Sequence, residues 1–516
     1  MISGLLIGVV VVGCFMRLLN VGRRERGLPP GPPTVPLLGN LHLIPAKQRH
    51  LKFAEWSRKY GDIFSIKIGP YSTVFLSSPT AIKEVVDKTS WAASSRAPNS
   101  LGELAAGGYH ILLAADTILL RNVRRILLRF FSPANALRRV PVQTAETAQL
   151  LYELTTRPEN FSDSIRRYTH SIAMIASYGH RISSFGSPKT QEFYLMLDRL
   201  LQIFVSPPID LVPGLKYLPE RWAPWSAMCR RSKSELSTFH LEHSTAAKMH
   251  SARYDGAEDE SFLSSISKIG LSQEEYDACS YTALTLVEAG SDTSAAFLLS
   301  LILILAVYPE YQERAWREIE AVVGTARLPE LEDFSRMPFV DALIKEVDRI
   351  RPIFPLGIPH FTTEEIRYKN YIVPKDTTVI LNIYSMFHDP DIFEEPELFN
   401  PERFMQSEHG TRPGMDTDFR NNFSFGAGRR VCPGQDFARA TMQLTTMRLI
   451  WAFRFSSAVD PKTERPIGRE LEFYDTEIVV MPYPFKCQIQ PRSSEHREMV
   501  MLAFEDAKPL LQRYDC

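Results

Sequence analysis

The sequence predicts a mainly α-helical protein with small β-sheets (α+β) and an N-terminal transmembrane helix. Three observations carry that expectation. Apolar residues recur with helical periodicity through most of the chain to Pro338, residues 62–76 alternate as a hairpin does, and the first 16 residues carry no charge.

The run from Met1 to Met16 is rich in Leu, Ile and Val; Arg17 interrupts it and Leu18 and Leu19 extend it. An apolar stretch of about 20 residues can cross a bilayer, and Arg23, Arg24 and Arg26 after it would hold that side in the cytoplasm. A cleaved signal peptide is the alternative, but the charge follows the run and no small-x-small cleavage site stands out. Residues 1–22 are therefore expected to anchor the chain. Residues 23–40 follow as a stiff hinge, because Pro29, Pro30, Pro32, Pro33 and Pro36 fix φ and lack amide donors.

The body is expected over 41–490. In the hairpin, Phe64, Ile66 and Ile68 alternate before Gly69-Pro70, and Val74 and Leu76 after it, which implies one buried face. Ser272 to Val307 reads as a helix of about 50 Å, with Ser272 and Glu275 at capping-box spacing and Pro309 past its end. Its apolar part, Ala295 to Val307, is too short for a second span and reads as buried. From Pro207 to Trp225 the pattern breaks, and Tyr217, Trp222 and Trp225 are available either to pack on the core or to enter a bilayer interface. The polar stretch 248–260 reads as an exposed connection. Residues 491–516 form a C-terminal extension, in which Met499, Val500, Leu502 and Phe504 can pack back as a short helix.

Composition narrows the function. The 44% hydrophobic and 23% charged fractions suit a globular core. With Lys plus Arg at 59 and Asp plus Glu at 60, a general nucleic-acid surface is excluded. The six cysteines, Cys14, Cys229, Cys279, Cys432, Cys487 and Cys516, include no CxxC pair, which argues against a disulfide framework or zinc site and suits a reducing compartment.

Chemistry concentrates in three places. In Phe425-Gly426-Ala427-Gly428-Arg429-Arg430-Val431-Cys432-Pro433-Gly434 the glycines allow a tight turn, and the helix-forming sequence beyond puts Cys432 near a helix N-terminus. There the backbone amides and dipole favour a thiolate, and Arg430 offers a charge for a carboxylate. An ordinary buried cysteine in a glycine loop is the plain alternative. Ala289-Gly290-Ser291-Asp292-Thr293 lies inside the long helix and reads, on its own, as a glycine with a back-bonded threonine. Glu346 and Arg349 share a helix face.

Together these segments resemble the cytochrome P450 family. The cysteine loop matches FxxGxRxCxG at Phe425, Gly428, Arg430, Cys432 and Gly434; Glu346 to Arg349 matches ExxR; Pro401 to Phe404 matches PERF; Ala289 to Thr293 matches the oxygen-binding AGxDT. The resemblance spans nearly the whole chain and implies the cytochrome P450 fold with heme b (iron protoporphyrin IX). It implies Cys432 as the iron ligand, Gly290 beside the iron, Asp292 and Thr293 on the proton path, and a structural Glu346–Arg349–Arg403 cluster. A cysteine thiolate pushes electron density towards iron and favours O–O cleavage.

The resemblance assigns heme propionate contacts to Arg124 and His360, with one departure. Where the family carries WxxxR, this chain has Leu120 to Arg124, so an indole hydrogen bond is missing. It implies a pocket built from 99–113, the start of the long helix, 353–358 and 475–479, whose apolar residues suit a lipophilic substrate. Implied partners are the membrane and NADPH-cytochrome P450 reductase, for which Arg121, Arg125 and Arg129 present one basic helical face. The implied function is a monooxygenase on the endoplasmic reticulum, single-pass, with its catalytic domain facing the cytosol. Residues 352–360 and 483–487 resemble fungal members that oxidise secondary metabolites. An oxygen-independent heme-thiolate isomerase or dehydratase, or a non-catalytic heme-binding membrane protein, are the rivals.

Overall fold

The computed structural model describes residues 20–205, 209–211, 215, 217–253, 261–415, 417–458, 474–475 and 478–515. The expected membrane anchor falls almost wholly outside them, as do much of the connection at 248–260 and parts of the passage from 207 to 225. The elements that position the site are helix α1 (Arg49–Tyr60), strands β1 (Ile63–Ile68) and β2 (Tyr71–Leu76), and helices α2 (Ile118–Phe130), α3 (Val140–Thr156) and α4 (Phe161–Tyr178). After them come α5 (Gln273–Val307), α6 (Pro338–Ile350), β3 (His360–Phe361), β4 (Thr378–Leu381), α7 (Gln435–Ala452) and α8 (Ser494–Gln512).

The hairpin forms where alternation places it, with Ile63 opposite Leu76 and Ile68 opposite Tyr71. Its burial corrects the expectation of one covered face, because Ser65, Lys67 and Thr73 are buried as well. Two neighbours explain this. Phe53 and Trp56 of α1 cover Phe64, Ile66 and Phe75, while Ile63, Val74 and Leu76 pack on the other side against Ala81, Ile82 and Val85. β2 also pairs in parallel with β4, giving a sheet of order β1-β2-β4-β3. The Pro-rich segment is laced to β1: Ser65 Oγ donates to the Pro29 carbonyl at 2.6 Å, and Arg24 reaches the carbonyls of Gly31, Pro32 and Ser65, each at 2.9 Å.

α5 begins at the expected cap. Ser272 accepts from the Glu275 amide, and Glu275 Oε2 accepts from the Ser272 amide at 3.1 Å. It is the one helix among the described residues long and apolar enough to cross a membrane, yet 72% of its apolar window is buried. Its C-terminal half, with Leu301 and Ile302, joins Ile165 of α4, Leu343 of α6 and Trp451 of α7 in the main core cluster. That burial is why the apolar run is a core helix.

Buried ions tie the helices together. Arg167 of α4 meets Glu146 and Glu153 of α3 at 2.7 and 2.8 Å, and Arg181 meets Glu146 at 2.8 Å. The extension joins this network, since the Arg181 amide donates to the Tyr514 carbonyl at 2.9 Å and Asp515 lies 3.3 Å from the guanidinium. α8 packs along α3, with Phe504 stacked on Tyr152 at 4.3 Å, so the extension is a full 19-residue helix rather than a short one.

On the other side of the core, Glu346 of α6 receives Arg349 at 2.7 Å and Arg403 at 3.2 Å. Arg349 also donates to the carbonyls of Phe387 and Pro396 at 2.7 and 2.8 Å, so the cluster clamps the segment 387–398 onto α6. Removing the one carboxylate strands two buried cations. Glu346→Ala should therefore lose about 3–5 kcal/mol in urea unfolding; a loss below about 1 kcal/mol, the level of an exposed pair, would contradict this.

Candidate active site

Cys432 lies in the turn that feeds α7. Gly426 and Gly428 hold φ of +86° and +59°, and a Cβ on Gly428 would come within 3.0 Å of the Val86 carbonyl oxygen. The loop is pinned by the Cys432 amide donating to the Phe425 carbonyl at 2.8 Å and the Gly428 amide donating to Asp87 Oδ1 at 2.8 Å. Gly434, by contrast, caps α7 at a φ of −92° that any residue adopts. The Phe425 ring packs under Arg439, whose guanidinium carbon is 5.5 Å from its centroid.

The amide at the helix N-terminus favours a thiolate as expected, but burial outweighs it. Burial pushes the Cys432 thiol up, against the Gly434 amide and the Arg124 guanidinium, which pull it down. The polypeptide by itself disfavours the anion, and a cation at the sulfur has to supply the remaining stabilisation. Burial pushes the thiols of Cys229, Cys279 and Cys487 up as well.

Around Cys432 lies a concentration of positive charge. Arg430 donates to the carbonyls of Ser94 (2.7 Å), Ile111 (3.2 Å) and Ala114. Arg124 reaches the Val431 carbonyl at 2.6 Å, on the cysteine loop itself. Arg96, absent from every motif, donates to Leu112 (3.0 Å), Ile358 (3.2 Å) and Pro359 (2.6 Å) carbonyls. Burial, first, and then Arg430 and Arg124 push the Arg96 pKa well down. Asp116 is the carboxylate felt by Arg124 and Arg430, but its hydrogen bonds go to Arg121 at 3.0 and 2.8 Å. Sequence reasoning missed Arg96; its one signal is a lone charge in the run Ala92–Pro98.

His360 opens β3 beside these cations. Its Nδ1 donates to the Ala93 carbonyl at 2.7 Å, and burial, aided by Arg96, pushes its pKa down to about 3. The neutral ring leaves Nε2 an acceptor, so a bond to a carboxylate would require a second proton. Leu120 sits in the apolar cluster with Val123 and Leu127 rather than offering any polar contact.

These groups line a cavity of about 1840 Å³, whose wall also includes Gly290, Asp292 and Thr293 of α5. α5 runs as one α-helix through this stretch. Gly290 serves a close approach, since a Cβ there would lie 3.2 Å from Ala173 of α4. Thr293 Oγ1 donates to the Ala289 carbonyl at 2.7 Å, which leaves its lone pairs to accept. Behind Asp292, the buried His170 of α4 holds Ser291 Oγ at 3.0 Å from its Nδ1.

The family model for cytochrome P450 matches residues 29–487. The chain belongs to the cytochrome P450 family. It is 37% identical to a cytochrome P450 monooxygenase of Armillaria gallica over 98% of this chain and 97% of that protein. It is 32% identical to the monooxygenase macC of Penicillium terrestre, covering 94% of each chain, and 32% identical to atE of Aspergillus terreus, covering 98% and 96%. It is accordingly a heme-thiolate monooxygenase, and its cofactor is heme b.

The residues of this P450 fit that cofactor. The cavity exceeds the roughly 300–1,000 Å³ of a usual ligand cleft, leaving room for a macrocycle and a substrate together. A half-buried cysteine sulfur and three guanidiniums, two buried and one half-buried, that are bonded to carbonyls among the described residues match an iron and two carboxylates.

The buried histidines make stability depend on pH. Burial pushes His170 from 6.5 down to about 3, with His180 adding to the shift. The folded protein thus keeps the ring neutral while the unfolded chain takes up a proton below 6.5. Stability present above that pH is lost as pH falls towards 3, at about 1.4 kcal/mol per pH unit per proton. Between pH 7 and 5, urea unfolding of the wild type should lose about 2 kcal/mol more than that of His170→Asn. Equal losses would rule out the assignment.

Proposed function

We propose that this P450 inserts one oxygen atom from dioxygen into a lipophilic organic substrate, with Cys432 as the iron ligand and electrons from NADPH passed by cytochrome P450 reductase. The observation that carries the reading is that the Cys432 loop and the Asp292–Thr293 segment line the same cavity. When bound, heme b supplies the redox-active iron at which dioxygen is activated.

The chain's own residues do the rest. Cys432 Sγ would donate electron density to the iron; its loop is held by the Cys432 amide on the Phe425 carbonyl, and the Gly434 amide donates to the sulfur. Arg96, Arg124 and Arg430 would hold the two propionates, and His360 would join them only with a second ring proton, its Nδ1 being on the Ala93 carbonyl. Thr293 Oγ1, with its own hydrogen committed to Ala289, accepts from a water and so fixes where that water delivers its proton. Asp292 can restore the proton. Apolar walls that include Leu113, Phe297, Ile353 and Val479 exclude bulk water and favour lipophilic substrates.

Reductase docking is assigned to α2, where Arg125 and Arg129 are exposed. Arg121, expected as the third member, is held by Asp116 and contributes less. Membrane attachment is assigned to the uncharged run before Arg17, single-pass in the endoplasmic reticulum with the catalytic domain in the cytosol. The exposed Tyr217 and Trp222 suit the same interface. The fungal relatives and the resemblance at 352–360 and 483–487 support a place in secondary-metabolite biosynthesis.

Two variants test the reading. Cys432→Ala should abolish the thiolate-type band of the reduced carbon monoxide complex, whereas Thr293→Val should keep that band and divert NADPH electrons to peroxide. A retained band in the first, or unchanged coupling in the second, would contradict the assigned roles.

A further inference from the structure

Among the polar side chains that line the cavity, three buried ones stand together on and beside α5. Glu288 of α5 and His110, from the loop before α2, both line it and are 6% and 2% exposed. Glu288 Oε2 meets His110 Nε2 at 3.0 Å. Thr285 lies one turn before Glu288 on the same face of α5 and lines the cavity too. Each of the three carries a buried polar atom with no hydrogen-bond partner among the described residues: Glu288 Oε1, His110 Nδ1 and Thr285 Oγ1.

Such atoms are rarely left unmatched in a folded protein, because each has given up water without recompense. Three together, on the wall of a cavity built for a ligand, specify what the ligand brings. A carboxylate oxygen only accepts, and an imidazole that donates through Nε2 also accepts at Nδ1; the Thr285 hydroxyl can donate. A substrate hydroxyl satisfies both kinds, donating to Glu288 and accepting from Thr285. An ether or a hydrocarbon cannot donate. Phe204, which also lines the cavity, packs nearly perpendicular to the His110 ring at 5.8 Å between centroids.

We propose that Glu288, His110 and Thr285 form a hydroxyl-anchoring subsite, and that the substrates of this P450 are lipophilic alcohols or phenols. The anchor also sets where oxidation falls. Glu288 precedes Thr293 by five residues, about 7.5 Å along the helix axis. The hydroxyl is thereby held some distance from the oxidised carbon instead of beside it.

The inference rests on the monooxygenase reading above, and the test separates the two. The heme-loaded full chain is titrated with 4-phenylphenol and with biphenyl, following the heme absorption band. Wild type should bind the phenol at least about tenfold tighter, although biphenyl is the more hydrophobic, because only the phenol matches the buried groups. The double variant Glu288→Leu/His110→Phe removes both polar partners at similar volume, and Thr285→Val removes the donor. In the double variant the preference should vanish while biphenyl binding stays within about threefold of wild type; in Thr285→Val the preference should shrink. Equal wild-type affinities, or a preference that survives the double variant, overturn the anchor while the thiolate-type carbon monoxide band stands. Absence of that band in the wild type overturns the underlying reading instead.

Discussion

Three guanidiniums, those of Arg96, Arg124 and Arg430, are packed together next to Cys432 and bonded to backbone carbonyls. Burial acts against all three, pushing each pKa down, and repulsion from Arg124 adds to the shift of Arg96 and Arg430. A fold does not retain such a cluster at no cost. The propionates of heme b, assigned to this cluster under the proposed function, would offset that cost, and several contacts of the surrounding structure hold the cluster in place. Arg430 joins the cysteine loop to Ser94, Arg96 joins the same region to Pro359, and Arg124 ties α2 to Val431. The guanidiniums and the Cys432 sulfur line one cavity, and both must keep their places for the proposed cofactor to fit.

The scaffold supplies rigidity where this requirement is strict. Glu346 with Arg349 and Arg403 clamps the segment 387–398, and the Glu146–Arg167–Arg181 network binds α3, α4 and the C-terminal extension. α5 crosses between these two anchored regions and brings Thr293 and Glu288 to one cavity. Its continuity through Gly290 means that the distal wall is set by close contact with Ala173 of α4 rather than by a break in the helix.

Much of this was legible in the residues because it rests on local rules. The Ser272–Glu275 capping box, the alternation about Gly69-Pro70 and the glycine-bounded turn at Cys432 each act within a few positions. What escaped depends on distant partners. Arg96 gains meaning only when Arg124 and Arg430 fold beside it. The second buried face of the hairpin comes from α1 and from helices beyond β2, and the thiol of Cys432 responds to desolvation by the whole surrounding fold, which no short motif encodes. Arg121 looked equivalent to Arg125 on a helical wheel until Asp116 claimed it. The extension read as a short helix because its docking partner, α3, lies more than 300 residues earlier.

Recognition of carboxylates by Arg96, Arg124 and Arg430 can be measured by changing the ligand alone. The protein freed of heme is reconstituted with heme b or with its dimethyl ester, in which both propionates are neutralised, and dissociation is followed by transfer to a heme acceptor. Losing two charged hydrogen-bond acceptors, each worth about 1.5–3 kcal/mol, should weaken retention of the ester by about 100-fold or more. Equal retention of the two would contradict the account.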